Sequence, residues 1–516
     1  MKNILININD FKKLIDRNGY YIDKTLLIND VLDKKITFYI RPNGFGKTIN
    51  MSMLYYFFSL NEKENAYLFH DLKIAQDKNA MLHQNKYPVI FISLKQMKGN
   101  SFEKQLIHFQ TIIKQWLHEN IKEPDQNEPL YNLYHGQADY NLLSNAFFYI
   151  MNYLKNLYHQ NVIVLIDDYD SPLYHGFINH FNSDANQFII DLVHSIVDNP
   201  VLFRAVFTGQ TSLKKEHKLI NTEWFNTVFS NTAYQTFGFS KSEIQNLLVS
   251  THQINNLDLI TKYFGGYIFN DELIYHPQWL MQYLSSQSDN ENFEIDINND
   301  DQIFIDLLTK QSFLIETELN KLLSNQTITK KVNKDFCYSD LSIYNNYFSY
   351  LINCGLLTND NSANHYLAIQ HLKLPNLTVK KLYLNTLYSW YENYILKQRN
   401  KFVDALFNHQ TKNAQQIISD IINAPITPMQ YNNKYYQNLL KLLLGPLMQS
   451  IVNETTYIIY YRLNKYESKL ASINLNICSK RESFFKTIKE RQPKLPNDQL
   501  NFELLVYQNN CFISER

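Results

Sequence analysis

The chain has 516 residues, 45% hydrophobic and 14% aromatic, with 37 Tyr and 33 Phe, which provides for real cores and excludes a disordered chain. Its 49 Lys and Arg offset 49 Asp and Glu, so no global field recruits nucleic acid, and such a partner would need a local basic groove. Cys337, Cys354, Cys478 and Cys511 are spaced too widely for a metal cluster or a disulfide framework, which points to a reducing cytosol. The opening MKNILININDF is too short and polar for a secretion signal, and no apolar run approaches the ~20 residues that cross a bilayer. A cytoplasmic protein without a membrane partner is therefore expected, and the length predicts about three domains.

The first apolar run of strand length, Ile36 to Ile40, feeds directly into Arg41 to Thr48, RPNGFGKT. Beyond it Ile49, Met53, Tyr56, Phe57 and Leu60 recur at helical spacing, which predicts a stripe buried against a sheet. Strand, glycine-bearing loop, then helix is the setting of a phosphate-binding loop. Gly44 and Gly46 let the backbone turn and approach an anion, so that amides from Asn43, Gly44, Phe45, Gly46, Lys47, Thr48 and Ile49 can face phosphates at a helix N-terminus. Lys47 would bring a point charge to the β- and γ-phosphates of ATP, and Thr48 a hydroxyl ligand for Mg²⁺. The usual pattern, G-x-x-x-x-G-K-[ST], opens on glycine, and Arg41 stands there instead. Only 12 glycines occur in the chain, so two within this loop favour a nucleotide site over an ordinary lysine-bearing turn.

Val89 to Ser93 is the second strand-like run, and Val162 to Ile166 (VIVLI) the third. The third is continuously apolar and β-branched, as in a strand buried on both faces of a parallel sheet, and it ends in Asp167-Asp168-Tyr169-Asp170. Carboxylates this close repel and lose hydration, so they need a cation or donors to stay ionised. Mg²⁺ held by Asp167, with Asp168 orienting the attacking water, is one solution. An acidic turn capping a helix that starts at Asp170-Ser171-Pro172 is the structural alternative. The fourth run, Phe203 to Phe207, leads to Thr208-Gly209-Gln210-Thr211, where a polar side chain could sense a γ-phosphate. Arg204, inside that run, is expected to face a carboxylate. Strands alternating with helices predict a mostly parallel α/β sheet with ligands at the strands' carboxyl ends.

From about Ser240 the pattern turns helical, with a capping box at Ser240 to Glu243. Ser285 to Asp301 and Asn359 to Asn364 are polar and read as loops. Tyr344 to Thr358 reads as a helix leading through a turn into a strand of a small winged-helix-like unit. A charge-rich helix around Glu392 to Phe402 precedes strands at Thr456 to Tyr461 and Ile473 to Ile477. In the latter Ile473, Leu475 and Ile477 share one face, and Asn474 and Asn476 the other.

Taken together, these blocks resemble the bacterial family that joins an AAA-ATPase-like domain to a C-terminal PD-(D/E)XK nuclease-like domain. The resemblance rests on YYIDKTLLINDVL (Tyr20 to Leu32), RPNGFGKTINMSMLYYFF (Arg41 to Phe58), YPVIFISLK (Tyr87 to Lys95), VIVLIDDYDSPL (Val162 to Leu173) and FGFSKSEI (Phe237 to Ile244). It includes a Gly-Tyr then Tyr-x-Pro pattern at Gly266, Tyr267, Tyr275 and Pro277. That family also has Arg-Pro where most phosphate loops begin with glycine. The resemblance implies a P-loop domain over residues 1–245, a helical and winged-helix-like region over 246–385, and a nuclease-like α/β domain over 386–516. Two departures stand out. The acidic pair after the buried strand is normally Asp-Glu in the family, and Asp168 shortens the reach to water by one methylene. The nuclease motif, Glu-Ser-Gly-x-Gly-Arg-x-Asp with Glu-x-Lys downstream, corresponds here to Glu467 through Asn474 and to Phe502-Glu503-Leu504-Leu505. That chemistry needs an aspartate and a glutamate to hold Mg²⁺ and a lysine to activate water. Asn474 lacks the charge and Leu505 the amine, which leaves Glu467, Asn474 and Glu503 as a degenerate site.

The expectation is a Mg²⁺-dependent, ATP-binding P-loop protein and slow ATPase, with Lys47, Asp167 and Asp168 catalytic, Thr48 and Asp167 on the metal, and a nuclease fold that does not cut. One alternative is an ATP-dependent nuclease acting on DNA or RNA. The other is a nucleotide-gated interaction protein with a protein partner, including an effector delivered into a host cell.

Overall fold

The computed structural model describes residues 2–213, 221–230, 235–286, 301–309, 312–343, 346–360, 369–423, 433–445, 448–452, 456–462, 468–478, 480, 483–484, 500–508 and 510–515. The chain forms two compact units, one of residues 1–298 and 321–380 and one of residues 299–320 and 381–516. No helix among the described residues is long and apolar enough to cross a membrane. None of the four cysteines forms a disulfide.

In the first unit the apolar runs become β1 (Ile36–Ile40), β2 (Val89–Ser93), β3 (Val162–Asp167) and β4 (Leu202–Gly209), extended at one edge by a short β5 (Phe225–Asn226). The sheet order is β2-β3-β4-β1-β5 and every neighbouring pair is parallel. β1 and β3 are buried at every position, as strands covered by helices on both faces must be. Because β4 lies between them, the ends of β1 and β3 stand about two strand spacings apart, roughly 10 Å, with the end of β4 in the gap.

The helix after the loop, Lys47–Phe58, buries more than the single stripe its spacing predicts. Met51, Ser52, Met53, Leu54, Phe57 and Phe58 are all buried, while Ile49 and Tyr56 of the predicted stripe are only half-buried. The helix Phe11–Asp16 covers it on another side. Phe11 N–H donates to Ser52 Oγ at 2.9 Å, and Tyr56 donates to Asp10, the residue that caps the shorter helix. Arg204 also departs from expectation. It donates to the carbonyls of Val31 and Leu32, each at 3.1 Å, in the last turn of the helix Leu27–Asp33, and lies over the Phe203 ring. A helix end offers orphan carbonyls that an arginine satisfies without a buried carboxylate.

Beyond β5 the capping box forms as its sequence predicts: Ser240 and Glu243 cap each other's backbone at the start of the helix Lys241–Ser250. Glu243 also receives Lys24 Nζ at 2.8 and 2.7 Å, and Lys24 donates further to the Gln235 carbonyl, so two blocks far apart in sequence are locked together. β6 (Phe239–Ser240), β7 (Tyr267–Phe269) and β8 (Glu272–Tyr275) form a small antiparallel sheet, order β6-β8-β7, that leads into the helix Pro277–Ser285. A second antiparallel sheet, order β10-β11-β9, contains β9 (Ile328–Lys331), β10 (Thr358–Asn359) and β11 (Ile369–Lys373). The helix Asn346–Asn353 runs through a turn into β10, in the order expected for Tyr344 to Thr358, although residues 344 and 345 lie outside the described residues. So do 287–300 and 361–364 of the polar segments.

The second unit holds a five-stranded sheet of β12 (Met448–Val452), β13 (Thr456–Arg462), β14 (Ser468–Ile477), β15 (Leu500–Tyr507) and β16 (Asn510–Glu515), in that order. Its pairs are antiparallel except β14 with β15. Ile473 and Leu475 enter a core shared with the helices Thr411–Ile422 and Asn433–Leu444, and Ile477 packs against it, while Asn476 is exposed.

Candidate functional site

The loop after β1 is built on two left-handed glycines, Gly44 at φ +77° and Gly46 at φ +87°, where other side chains are strained. Three consecutive carbonyls of this loop are occupied. Gly44 O accepts from Gln278 N at 3.2 Å, Phe45 O from Gly238 N at 3.0 Å, and Gly46 O from Asn50 N at 3.2 Å. Each trans peptide is planar and its N–H opposes its C=O, so the amides of Phe45, Gly46 and Lys47 point away from those three partners. Successive amides at a glycine-bearing helix start suit an anion cradle. Lys47 is buried, its Nζ donating to the carbonyls of Arg41 (2.9 Å) and Pro42 (3.1 Å) and to Asn43 Oδ1 (3.1 Å). All three partners are neutral oxygens.

Arg41 has a different task from the glycine it replaces. Its side chain is 0% exposed and turned away from the cradle, donating to the Ile40 carbonyl at 2.8 Å and to the carbonyl and Oδ1 of Asn226 at 2.7 and 2.6 Å. The guanidinium also lies over the rings of Phe237 and Phe269. It therefore ties β1 to the edge strand β5. Arg41→Gly, which would restore the usual pattern, is expected to cost on the order of 3 kcal/mol in urea unfolding, because the charged hydrogen bonds vanish and the Asn226 groups stay buried.

At the end of β3 Asp167 is 1% exposed and held between two hydroxyls. Thr48 donates to its Oδ2 at 2.7 Å, and Thr208, at the end of β4, donates to its Oδ1. Burial, and then the neighbouring Asp168, raise its pKa above the usual carboxylate range, while Lys47 pulls it back. The half-buried Asp168 sits at φ +51°, a left-handed conformation that aspartate tolerates better than most residues. Asp170 is turned inward. Its Oδ2 accepts from Gln210 N at 2.8 Å and from Thr211 N at 3.2 Å, and burial pushes its pKa up to about 6. The helix Ser171–Ile178 does start here, with Pro172 in its first turn, but the Asp170 carboxylate does not cap it. Tyr169 donates to the Thr211 carbonyl, so both residues fasten the loop after β4. A Cβ at Gly209 would come within 2.8 Å of both Asp170 and Tyr169, which is why that loop needs a glycine.

The structure thus brings Asn43, Gly44, Phe45, Gly46, Lys47, Thr48 and Ile49 to one end of the sheet, with Thr48 touching Asp167 and Asp168 beside it. Residues 5–217 match the family model described as Predicted AAA-ATPase. No curated protein and no solved structure matches the chain. The match supports a nucleotide-binding, ATPase-like role for this part of the chain, and the parallel five-stranded sheet is consistent with a P-loop domain.

Asn226 carries no motif signal at this site, while Gly238 falls inside the Phe237 to Ile244 block and His276 at the unspecified position of the Tyr-x-Pro pattern, neither with a role of its own in the sequence. His276 is 4% exposed, stacks on Trp279 at 3.8 Å and meets the Phe45 ring edge-on at 4.9 Å. Its Nδ1 accepts from Trp279 N at 3.3 Å, so in the neutral ring the proton sits on Nε2, the edge that faces Asn43 and Gly44. Burial pushes its pKa down to about 3.

In the second unit Asn474 and Glu503 are partners in the parallel register of β14 and β15. Glu503 is buried and accepts a hydrogen bond from Asn476 Nδ2. Leu505 is buried in the sheet. Glu467 lies outside the described residues.

Proposed function

We propose that this chain binds ATP with Mg²⁺ at the loop Arg41 to Thr48 and hydrolyses it slowly. The observation that carries this is the Thr48 to Asp167 contact at 2.7 Å, beside a buried lysine at the start of the helix that follows the glycine loop. A hydroxyl and a carboxylate are the hard oxygen donors that Mg²⁺ takes, with phosphate oxygens and water completing its shell. The residues therefore fit the ion, which when bound would neutralise charge developing on the phosphates. Lys47 exchanges its carbonyl partners for phosphate oxygens, the amides of Phe45, Gly46 and Lys47 hold the same group, and Thr48 and Asp167 hold the metal. Thr208 orients Asp167. Asp168 positions the attacking water, and its side chain, one methylene shorter than glutamate, makes that alignment poorer. A displacement near 1 Å costs about a hundredfold in rate, so binding survives while turnover is slow.

Isothermal titration with Mg·ATP tests this. Lys47→Ala is expected to weaken binding about a hundredfold, since it removes the loop's only side-chain cation within reach of the phosphates. Equal affinity in both proteins would end the proposal.

We further propose that residues 386–516 keep a nuclease-like fold without cutting. Support comes from Asn474 in the place of a metal-binding aspartate and from Leu505 in the place of the lysine that activates water.

A further inference from the structure

The cradle is held open from outside by a segment that follows the matched family region. β8 ends at Tyr275, and His276 with the first turn of the helix Pro277–Ser285 lies against the phosphate loop. Gln278 N fastens the Gly44 carbonyl at 3.2 Å. The His276 ring lies so close to Gly44 that a Cβ there would overlap it, and the same Cβ would stand 2.8 Å from Gln278 Oε1. Phe45, 1% exposed, is enclosed by Tyr267 at 5.0 Å, Phe269 at 5.5 Å and His276 at 4.9 Å. A loop whose outward carbonyl and side chain are both gripped has its inward amides fixed in advance. Preorganised amides bind an oxyanion without first losing entropy.

We propose that His276 is a positioning residue for the phosphate loop, and that nucleotide binding is coupled through it to the segment Tyr267 to Ser285. The proposal rests on the nucleotide reading given above. His276 touches no phosphate itself. It acts by fixing Asn43, Gly44 and Phe45, and its stack on Trp279 places a fluorophore one ring away from the loop. Coupling between two sites is reciprocal, so a ligand that orders the loop must also alter the surroundings of that ring pair.

The test uses the full chain, Mg·ATP titrations, and the emission of the four tryptophans. His276→Asn keeps an acceptor where Nδ1 caps the Trp279 amide but loses the Nε2 edge, and His276→Gln returns a donor toward the loop. Asparagine is expected to weaken Mg·ATP binding about tenfold, and glutamine to restore most of that loss. Wild-type emission is expected to change on titration, and Trp279→Phe to abolish the change while leaving affinity near wild type. Two results would overturn the proposal: tight wild-type binding with both His276 variants unaltered, or an equal loss in both variants without any Trp279 signal. If wild type binds no better than Lys47→Ala, the nucleotide reading itself fails, which is a distinct outcome.

Discussion

Asp167→Asn is expected to lower Mg²⁺-dependent ATP turnover by about a hundredfold or more, while the nucleotide-free protein melts at the same temperature as wild type or higher. The two halves of that expectation have one cause. Asp167 is almost wholly buried, and its charge is supported by two threonine hydroxyls but opposed by Asp168 next to it. Burial and Asp168 both favour the protonated form, so an ionised Asp167 is a local cost of the fold rather than a source of stability. Asparagine keeps an oxygen for one threonine, removes the charge and changes little in shape. It also removes the one carboxylate that touches Thr48, and with it the hold on the metal. A side chain kept at a cost in stability fits a functional role. The measurement is a pair of melts for each protein, with and without Mg·ATP at 100 times the wild-type Kd. Wild type should gain about 2.7 kcal/mol from the ligand. The variant should gain much less. An asparagine protein that melts several degrees lower yet turns over like wild type would make Asp167 structural.

The frame of this site was legible in the sequence because it depends on local pattern. Ile36 to Ile40 and Val162 to Ile166 are apolar runs bounded by polar punctuation, and each forms a strand that ends within a residue of its predicted limit. The capping box at Ser240 and Glu243 is a four-residue signal and forms as written. The groups that escaped are those whose role depends on chain distant in sequence. Arg41 looks like a defect in a motif until Asn226, brought beside it by the parallel pairing of β1 and β5, shows what it holds. Thr208 reaches Asp167 because β4 inserts between β1 and β3, an order that no local window encodes. The spacing in the helix after the phosphate loop predicts one buried stripe. That helix is covered on a second side by the helix that Asp10 caps, so its own period carries little contrast. His276 has no signal of its own, since it is the unspecified position between Tyr275 and Pro277, where the sequence marks only a helix start.

Asp170 gives the second large effect, and its sign is opposite to ordinary acid denaturation. Its carboxyl is raised from 3.8 to about 6 in the folded protein, chiefly by burial, so the native state holds a proton there more readily than the unfolded chain does. Between those two values stability must fall as pH rises, because the fold has to release a proton that the unfolded chain has already lost. The shift is roughly two units, which makes Asp170 about 2 kcal/mol more costly to keep at pH 7 than at pH 4. Asp170→Asn mimics the protonated carboxyl at all pH values. The stability of the variant minus that of wild type is therefore expected to shrink by about 2 kcal/mol as pH is lowered from 7 to 4, read from urea unfolding at each pH. Other groups cancel in that difference, including His276, whose depressed pKa slopes the other way in both proteins. Lys47 opposes the shift through its charge, so in a Lys47→Ala background the pH window should move upward. That last result links the loop after β1 to the loop after β4 electrostatically. A difference that stays flat from pH 7 to 4 would mean that the amides of Gln210 and Thr211 already compensate the buried charge.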